Sequence, residues 1–222
     1  MSTRKIIIHV QALARLLTQS KAQFATLKEF NQYKKQHIHA FRNHLLAEQL
    51  HSPVSALSFA QHEQGKPFLT SHPLHFNHSH SQQNYTLALS ERVSDIGVDV
   101  EDLSRKVRFE ALAERTFHAE EYQIWQHSQD TEYWFKVWTT KEAVLKAAGV
   151  GIALDLNSLN TQVHPIHNGG MCSHPQLGSF AYQNFILNNS IMLTVAWRAE
   201  PSCRGFQLPS IQIIQHKAVF KF

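Results

Sequence analysis

Hydrophobic spacing changes twice along this chain from a helical period of about 3.6 residues to a strand period of about 2, in the same order each time. That recurrence limits the fold more than any single motif does. A strand sends successive side chains to opposite faces, whereas a helix gathers every third or fourth onto one, so neither pattern can bury its apolar set in the other's conformation.

The first round opens with "KIIIHV", a β-branched run that reads as a short strand. "ALARLLTQS" and "KAQFATLKEFNQYKKQHIHAFRNHLLAEQL" follow at helical spacing, with Phe24, Leu27, Phe30, Phe41, Leu45 and Leu46 as the expected buried set. Lys28, Lys34, Lys35 and Arg42 fall on polar positions, the usual mark of a solvated face. Pro53 breaks the pattern, "LSFAQ" offers a short strand, and Gly-Lys-Pro at 65–67 a turn. "LHFNHSHSQQNYTLALSERVSDIGVDVED" then predicts two or three strands in meander order. In the second round, "RFEALAERTFHAEEYQIWQ" and "DTEYWFKVWTTKEAVLKAAGVGI" predict two helices, the latter stopping at Gly149 or Gly151. A hairpin turning near "NNS" and a strand or strand pair in "SIQIIQHKAVFKF" complete it. The expected fold is α+β, with two similar α/β halves, 1–98 and 99–222, although no sequence identity between them is visible.

A chain of 222 residues can bury a core without staples, and Cys172 and Cys203 have neither disulfide-framework nor zinc-ligand spacing. No apolar run approaches a membrane span and the opening segment lacks secretory features, so a cytoplasmic protein is expected. The 21 basic against 17 acidic residues, a net charge of +4, suit an acidic partner. Charge alone does not separate nucleic acid, a phosphorylated cofactor and an acidic protein.

Three segments could carry chemistry. In "SDIGVDVED", Ile96, Val98 and Val100 share one strand face while Asp95, Asp99 and Glu101 share the other, which is either a solvated face or one side of a cation site. In "WFKVWTTKEAVLKAAG", Trp138, Glu142 and Lys146 line one helical stripe, with Lys141 and Leu145 on the next. Taken alone, Glu142 and Lys146 make an ordinary surface ion pair. "HPLHFNHSHS" gathers His72, His75, His78 and His80, but no cysteine or carboxylate flanks them to complete a tetrahedral metal set.

In combination, "GKPFL", "HFNHSHS", "IGVDVED", "RTFHAEEY" and "WFKVWTTKEAVLK" closely resemble the motifs of the 4'-phosphopantetheinyl transferases of the Sfp type, across residues 65–151. The fit is looser over 1–64, chiefly through "FRNHLL", and rests only on predicted strands over 152–222. The resemblance implies a pseudo-twofold fold with the active site between the halves, coenzyme A phosphates and adenine on the first half, and the metal on the second. It implies a monomer that transfers the phosphopantetheine arm of coenzyme A to a serine of an acyl or peptidyl carrier protein, with Mg2+. Asp99, Glu101 and Glu142 would hold the metal, and Lys146 would reach the pyrophosphate. Glu142 would take the serine proton, with a water as the alternative base, and Glu121 matches an acidic position near the metal. Arg42, Lys66, Ser79 and His80 match positions that hold coenzyme A phosphates. Lys141, about 100° round the helix from Glu142, would join them, Lys34 and Lys35 are further candidates, and His78 reads as incidental. Trp125 is a candidate for carrier contact or for the core. A coenzyme A or nucleotide-binding module without turnover is the alternative; a basic nucleic-acid-binding domain rests on charge alone. The length fits the broad-acceptor branch of the family, and the particular acceptor is not readable.

Overall fold

A computed structural model describes residues 4–151, 154–199 and 208–220; Cys203 lies outside them. β1 (Lys5–Ala12), α1 (Leu27–Gln49), the small hairpin β2 (Phe59–Gln61) and β3 (Pro67–Leu69), β4 (His75–His80) and β5 (Asn84–Ser90) come first. β6 (Ile96–Asp102), α2 (Phe109–Thr116), α3 (Ala119–Ser128), α4 (Thr131–Ala148), β7 (Gly169–His174), β8 (Gly178–Leu187), β9 (Ile191–Arg198) and β10 (Ser210–His216) follow. The strands form two four-stranded sheets, ordered β10-β1-β5-β4 and β6-β9-β8-β7. The α+β class with two similar α/β halves is therefore present, each half having one sheet and one long helix.

Burial follows the side-chain alternation. Ile6, Ile8 and Val10 of β1 pack with Ile96, Val98 and Val100 of β6 and Leu193, Val195 and Trp197 of β9 in a core shared by the two sheets. α1 covers the outer face of the first sheet, burying Ile38, Phe41, Leu45 and Leu46 on Phe76, Tyr85, Leu87 and Leu89. α4 covers the outer face of the second, with Trp134, Val137 and Val144 among Phe180, Tyr182 and Met192. At roughly 1.5–3 kcal/mol per fully buried large apolar side chain, these contacts are the main drive for stacking the layers.

Several sequence expectations change. β4 and β5 pair antiparallel, but β6 leaves that meander and pairs with β9 in the second sheet, with both of its faces covered. Residue 98 lies inside β6, and β10 returns to pair in parallel with β1. "ALARLLTQS" makes only one short 3-10 turn, Leu13–Arg15, since the Thr18 and Gln19 N–H groups donate to the Tyr33 hydroxyl instead of to helix carbonyls. Leu27 is 55% exposed rather than buried, and Phe24 packs half-buried on Phe30 and Tyr33. The second helical round contains three helices, α2 to α4, and the last stops at Gly149 in the left-handed conformation, φ 73°. Trp125 is a core residue. Among the described residues no helix is long and apolar enough to cross a membrane.

Candidate active site

The site forms where α4 crosses β6, and Gly97 permits the crossing. A Cβ on residue 97 would lie 1.9 Å from the Ala143 carbonyl oxygen and 2.3 Å from the Ala147 nitrogen, so only glycine lets the helix lie this close. Asp99 and Glu101 share the strand face of Gly97, and therefore meet the helix rather than solvent. Both are buried, at 5% and 8% exposure.

Asp99 Oδ1 accepts from Ser79 Oγ at 2.8 Å and from Lys146 Nζ at 2.6 Å, and Lys146 Nζ also donates to Ser79 Oγ at 2.9 Å. Asp99 Oδ2 is buried with no hydrogen-bond partner. Glu101 Oε1 accepts from Arg105 and, at 3.1 Å, from Trp138 Nε1. Glu142 Oε2 stands 3.9 Å from Lys146 Nζ. The whole Trp138–Glu142–Lys146 stripe thus faces the acids of β6.

Titration follows this crowding. Burial, then the Asp99 charge, raises the Glu101 carboxyl against the opposing pull of Arg105 and Trp138. Burial, with Asp99 and Glu101 adding to it, raises Glu142 despite Lys146. Burial alone would lower Lys146, but Asp99 and Glu142 outweigh it and keep the ammonium protonated. Among the described residues no three His, Cys, Asp or Glu side chains already stand in a metal-holding arrangement, and the positive charge against Asp99 is Lys146. The unpartnered Asp99 oxygen beside two more carboxylates is nevertheless an all-oxygen donor set of the kind a hard divalent cation takes.

Beside the acids opens a cavity of about 360 Å³ lined by Lys66, Asn77, Glu142, Lys146, Gly149 and Leu156, among others. Its walls come from both halves: Asn77 on β4 accepts the Val98 N–H of β6 at 2.9 Å, joining the two sheets at its base.

Residues 95–196 match the model of the 4'-phosphopantetheinyl transferase superfamily. The 4'-phosphopantetheinyl transferase gsp of Aneurinibacillus migulanus is 36% identical over 118 residues, covering 51% of this chain and 47% of that protein. Sfp of Bacillus subtilis is 30% identical over 124 residues, 54% of each. A Synechocystis relative whose name assigns it provisionally to the 4'-phosphopantetheinyl transferases is 36% identical over 191 residues, covering 77% of this chain and 75% of that one. The chain belongs to the 4'-phosphopantetheinyl transferase family. It spans about half the length of the first two relatives named, and 75% of the third.

Within this phosphopantetheinyl transferase framework the remaining sequence candidates separate into groups. Glu121 and Lys141 face each other at 2.8 Å in the interior, 2% and 1% exposed. Glu121 also accepts from the His118 and Thr161 N–H groups and the Thr161 hydroxyl, while Lys141 donates to the Leu156 and Leu159 carbonyls. These two candidates thus stand apart from the acids of β6: Lys141 makes its hydrogen bonds inside the protein, and Glu121 pairs with it rather than with Asp99, Glu101 or Glu142.

Lys66 lines the cavity, but its ammonium donates to the Ile96 and Ala147 carbonyls at 3.0 and 3.1 Å. Burial lowers it to about 8. Arg42 is 6% exposed, bonds Asn43 Oδ1 through Nε and NH2, and stacks over the Phe59 ring at 4.5 Å. His80 ends β4, where partial desolvation of its ring and then nearby Lys34 lower its pKa. His39 is lowered by burial and then by Arg42 and Lys35, so α1 and β4 together present a basic patch. His78 lies within that patch, with its Nδ1 buried and unpartnered.

Sequence reading missed Trp138 and Arg105 as the groups that orient Glu101. The signal for Trp138 was its place on the Glu142 stripe, and Arg105 follows Glu101 by four residues.

Proposed function

We propose that this protein transfers the 4'-phosphopantetheine arm of coenzyme A to a serine hydroxyl of a carrier protein, releasing adenosine 3',5'-bisphosphate. The observation that carries this reading is the Asp99–Lys146–Ser79 cluster, with its unpartnered Asp99 oxygen and with Glu101 and Glu142 beside it, next to a cavity that Glu142 and Lys146 line. Asp99, Glu101 and Glu142 would hold Mg2+, which when bound neutralises pyrophosphate charge and stabilises the leaving group.

Lys146, kept protonated, presents a cation to the diphosphate from the same helical face as Glu142. The basic patch of Lys34, Lys35 and Arg42 supplies attraction for the remaining coenzyme A phosphate, with Arg42 contributing as a buried charge and the His80 ring as a hydrogen-bonding group. In the transfer, the serine oxygen forms a bond to the β-phosphorus as the bond to the bridging oxygen breaks, and that oxygen leaves with the adenosine bisphosphate. Glu142, which lines the cavity, would take the serine proton directly or through one water, and a water held beside the acids is the alternative base. Excess basic charge favours encounter with an acidic carrier, and one chain supplies both walls, which suits a monomer.

The test is incubation with coenzyme A, Mg2+ and carrier proteins, read by mass spectrometry. The expected result is a gain of one phosphopantetheine arm on the carrier serine. No gain across acyl, aryl and peptidyl carriers, with coenzyme A binding retained, would leave the binding-module reading instead.

A further inference from the structure

We propose that Lys66 is a positioning residue that fixes β6 against the end of α4, rather than a ligand of a coenzyme A phosphate. The proposal rests on the transferase reading only for its kinetic consequence. Lys66 follows the β2–β3 turn, which is set by Gly65 at φ +84°. Its ammonium donates to the carbonyl of Ile96, the residue before Gly97, and to that of Ala147, the residue after Lys146. Those carbonyls flank the closest approach of strand and helix, where a Cβ on Gly97 would strike the helix backbone.

The Ala147 carbonyl belongs to the last turn of α4, where oxygens lack intrahelical partners and the helix end carries partial negative charge. A buried carbonyl left there without a donor is costly. Lys66 therefore closes an orphan at the helix end and, with the same nitrogen, holds the strand. Its stem lies along Gly149, whose added Cβ would be 3.6 Å from Lys66 Cδ, and Gln64 of the same turn lies equally close to Gly151. One side chain thus joins the hairpin of the first half to both elements that carry the acids.

Asp99 and Lys146, 2.6 Å apart, sit on either side of this crossing, so its looseness is transmitted to their separation and to Glu142. A phosphate would have to draw the Lys66 ammonium off two carbonyls, whereas Lys146 already stands at the acids with 28% of its side chain exposed.

The experiment compares the wild type with Lys66→Met and Lys66→Gln by steady-state transfer to a carrier protein and by hydrogen–deuterium exchange. Positioning predicts a kcat for Lys66→Met lower by roughly tenfold to a hundredfold, with the KM for coenzyme A within about threefold. It also predicts faster amide exchange over 96–102 and the last turn of α4, with β1 and β5 unchanged. Lys66→Gln, which keeps N–H donors without charge, should turn over faster than Lys66→Met with KM unchanged; it also serves if Lys66→Met does not fold. A tenfold rise in KM with kcat and exchange unaltered would make Lys66 a phosphate ligand and overturn the proposal, as would wild-type values throughout. If the wild type transfers nothing, the transferase reading falls, and the exchange comparison, which needs no substrate, still decides the role of Lys66.

Discussion

The Lys146 ammonium stands 2.6 Å from Asp99 Oδ1 while the second oxygen of the same carboxylate has no hydrogen-bond partner. One carboxylate thus faces a resident cation on one side and is open on the other. It is a buried carboxylate with one oxygen unsatisfied, and variants there should separate chemistry from folding.

Asp99→Asn keeps an oxygen for Ser79 and Lys146 but loses the charge. Transfer should fall by at least about a hundredfold, comparable to removing a principal electrostatic group from an active site. Circular dichroism should still report a folded chain. Wild-type turnover in this variant would remove Asp99 from the metal assignment.

Chelation should abolish transfer, and added Mg2+ should restore it. Trp138 donates to Glu101, so engagement of Glu101 by the cation should change tryptophan fluorescence in the absence of substrate. The change should saturate with Mg2+ and vanish in Glu101→Gln; a signal unaffected by that substitution would place the cation elsewhere.

Glu121→Gln and Lys141→Met each leave one member of a buried ion pair without its partner. Each should lower unfolding free energy by about 3–5 kcal/mol in urea titrations. The folded fraction should keep its KM for coenzyme A, because neither side chain is presented to the cavity. A large KM increase without loss of stability would contradict that placement.

Acid stability should depend on buried histidines. Burial and then His216 lower His9 to about 4, and burial with Arg42 and its neighbours lowers His78 to about 3, from an ordinary 6.5. Between those limits the unfolded chain binds more protons than the folded one, so stability is full above pH 6.5 and falls as pH drops toward 4. His9→Phe should flatten the dependence of the urea midpoint on pH in that window; an unchanged slope would show that His9 is not a source of it.

The acidic strand and the Trp138–Glu142–Lys146 stripe were legible in the sequence because each follows a single local period. Their meeting was carried by motif resemblance, and Gly97 supplies its steric reason only once the helix is seen against the strand. Lys141 was the hardest to read. Its neighbours in sequence face the acids, yet about 100° of helical rotation turns its ammonium into the protein toward Glu121. Lys66 was equally opaque, since its acceptors are backbone carbonyls 30 and 81 residues away, which leave no trace in side-chain pattern. The return of β10 to β1 has the same cause: pairing between strands remote in sequence is not written into either one.

That return governs the order in which the protein can be made. His9 and His216 touch across β1 and β10 although 207 positions separate them, so β1 waits for a strand made much later before its sheet is complete. The second sheet has all its strands by Arg198 and can assemble earlier. The sheet that carries the acids can thus form while the other is still without its edge strand β10.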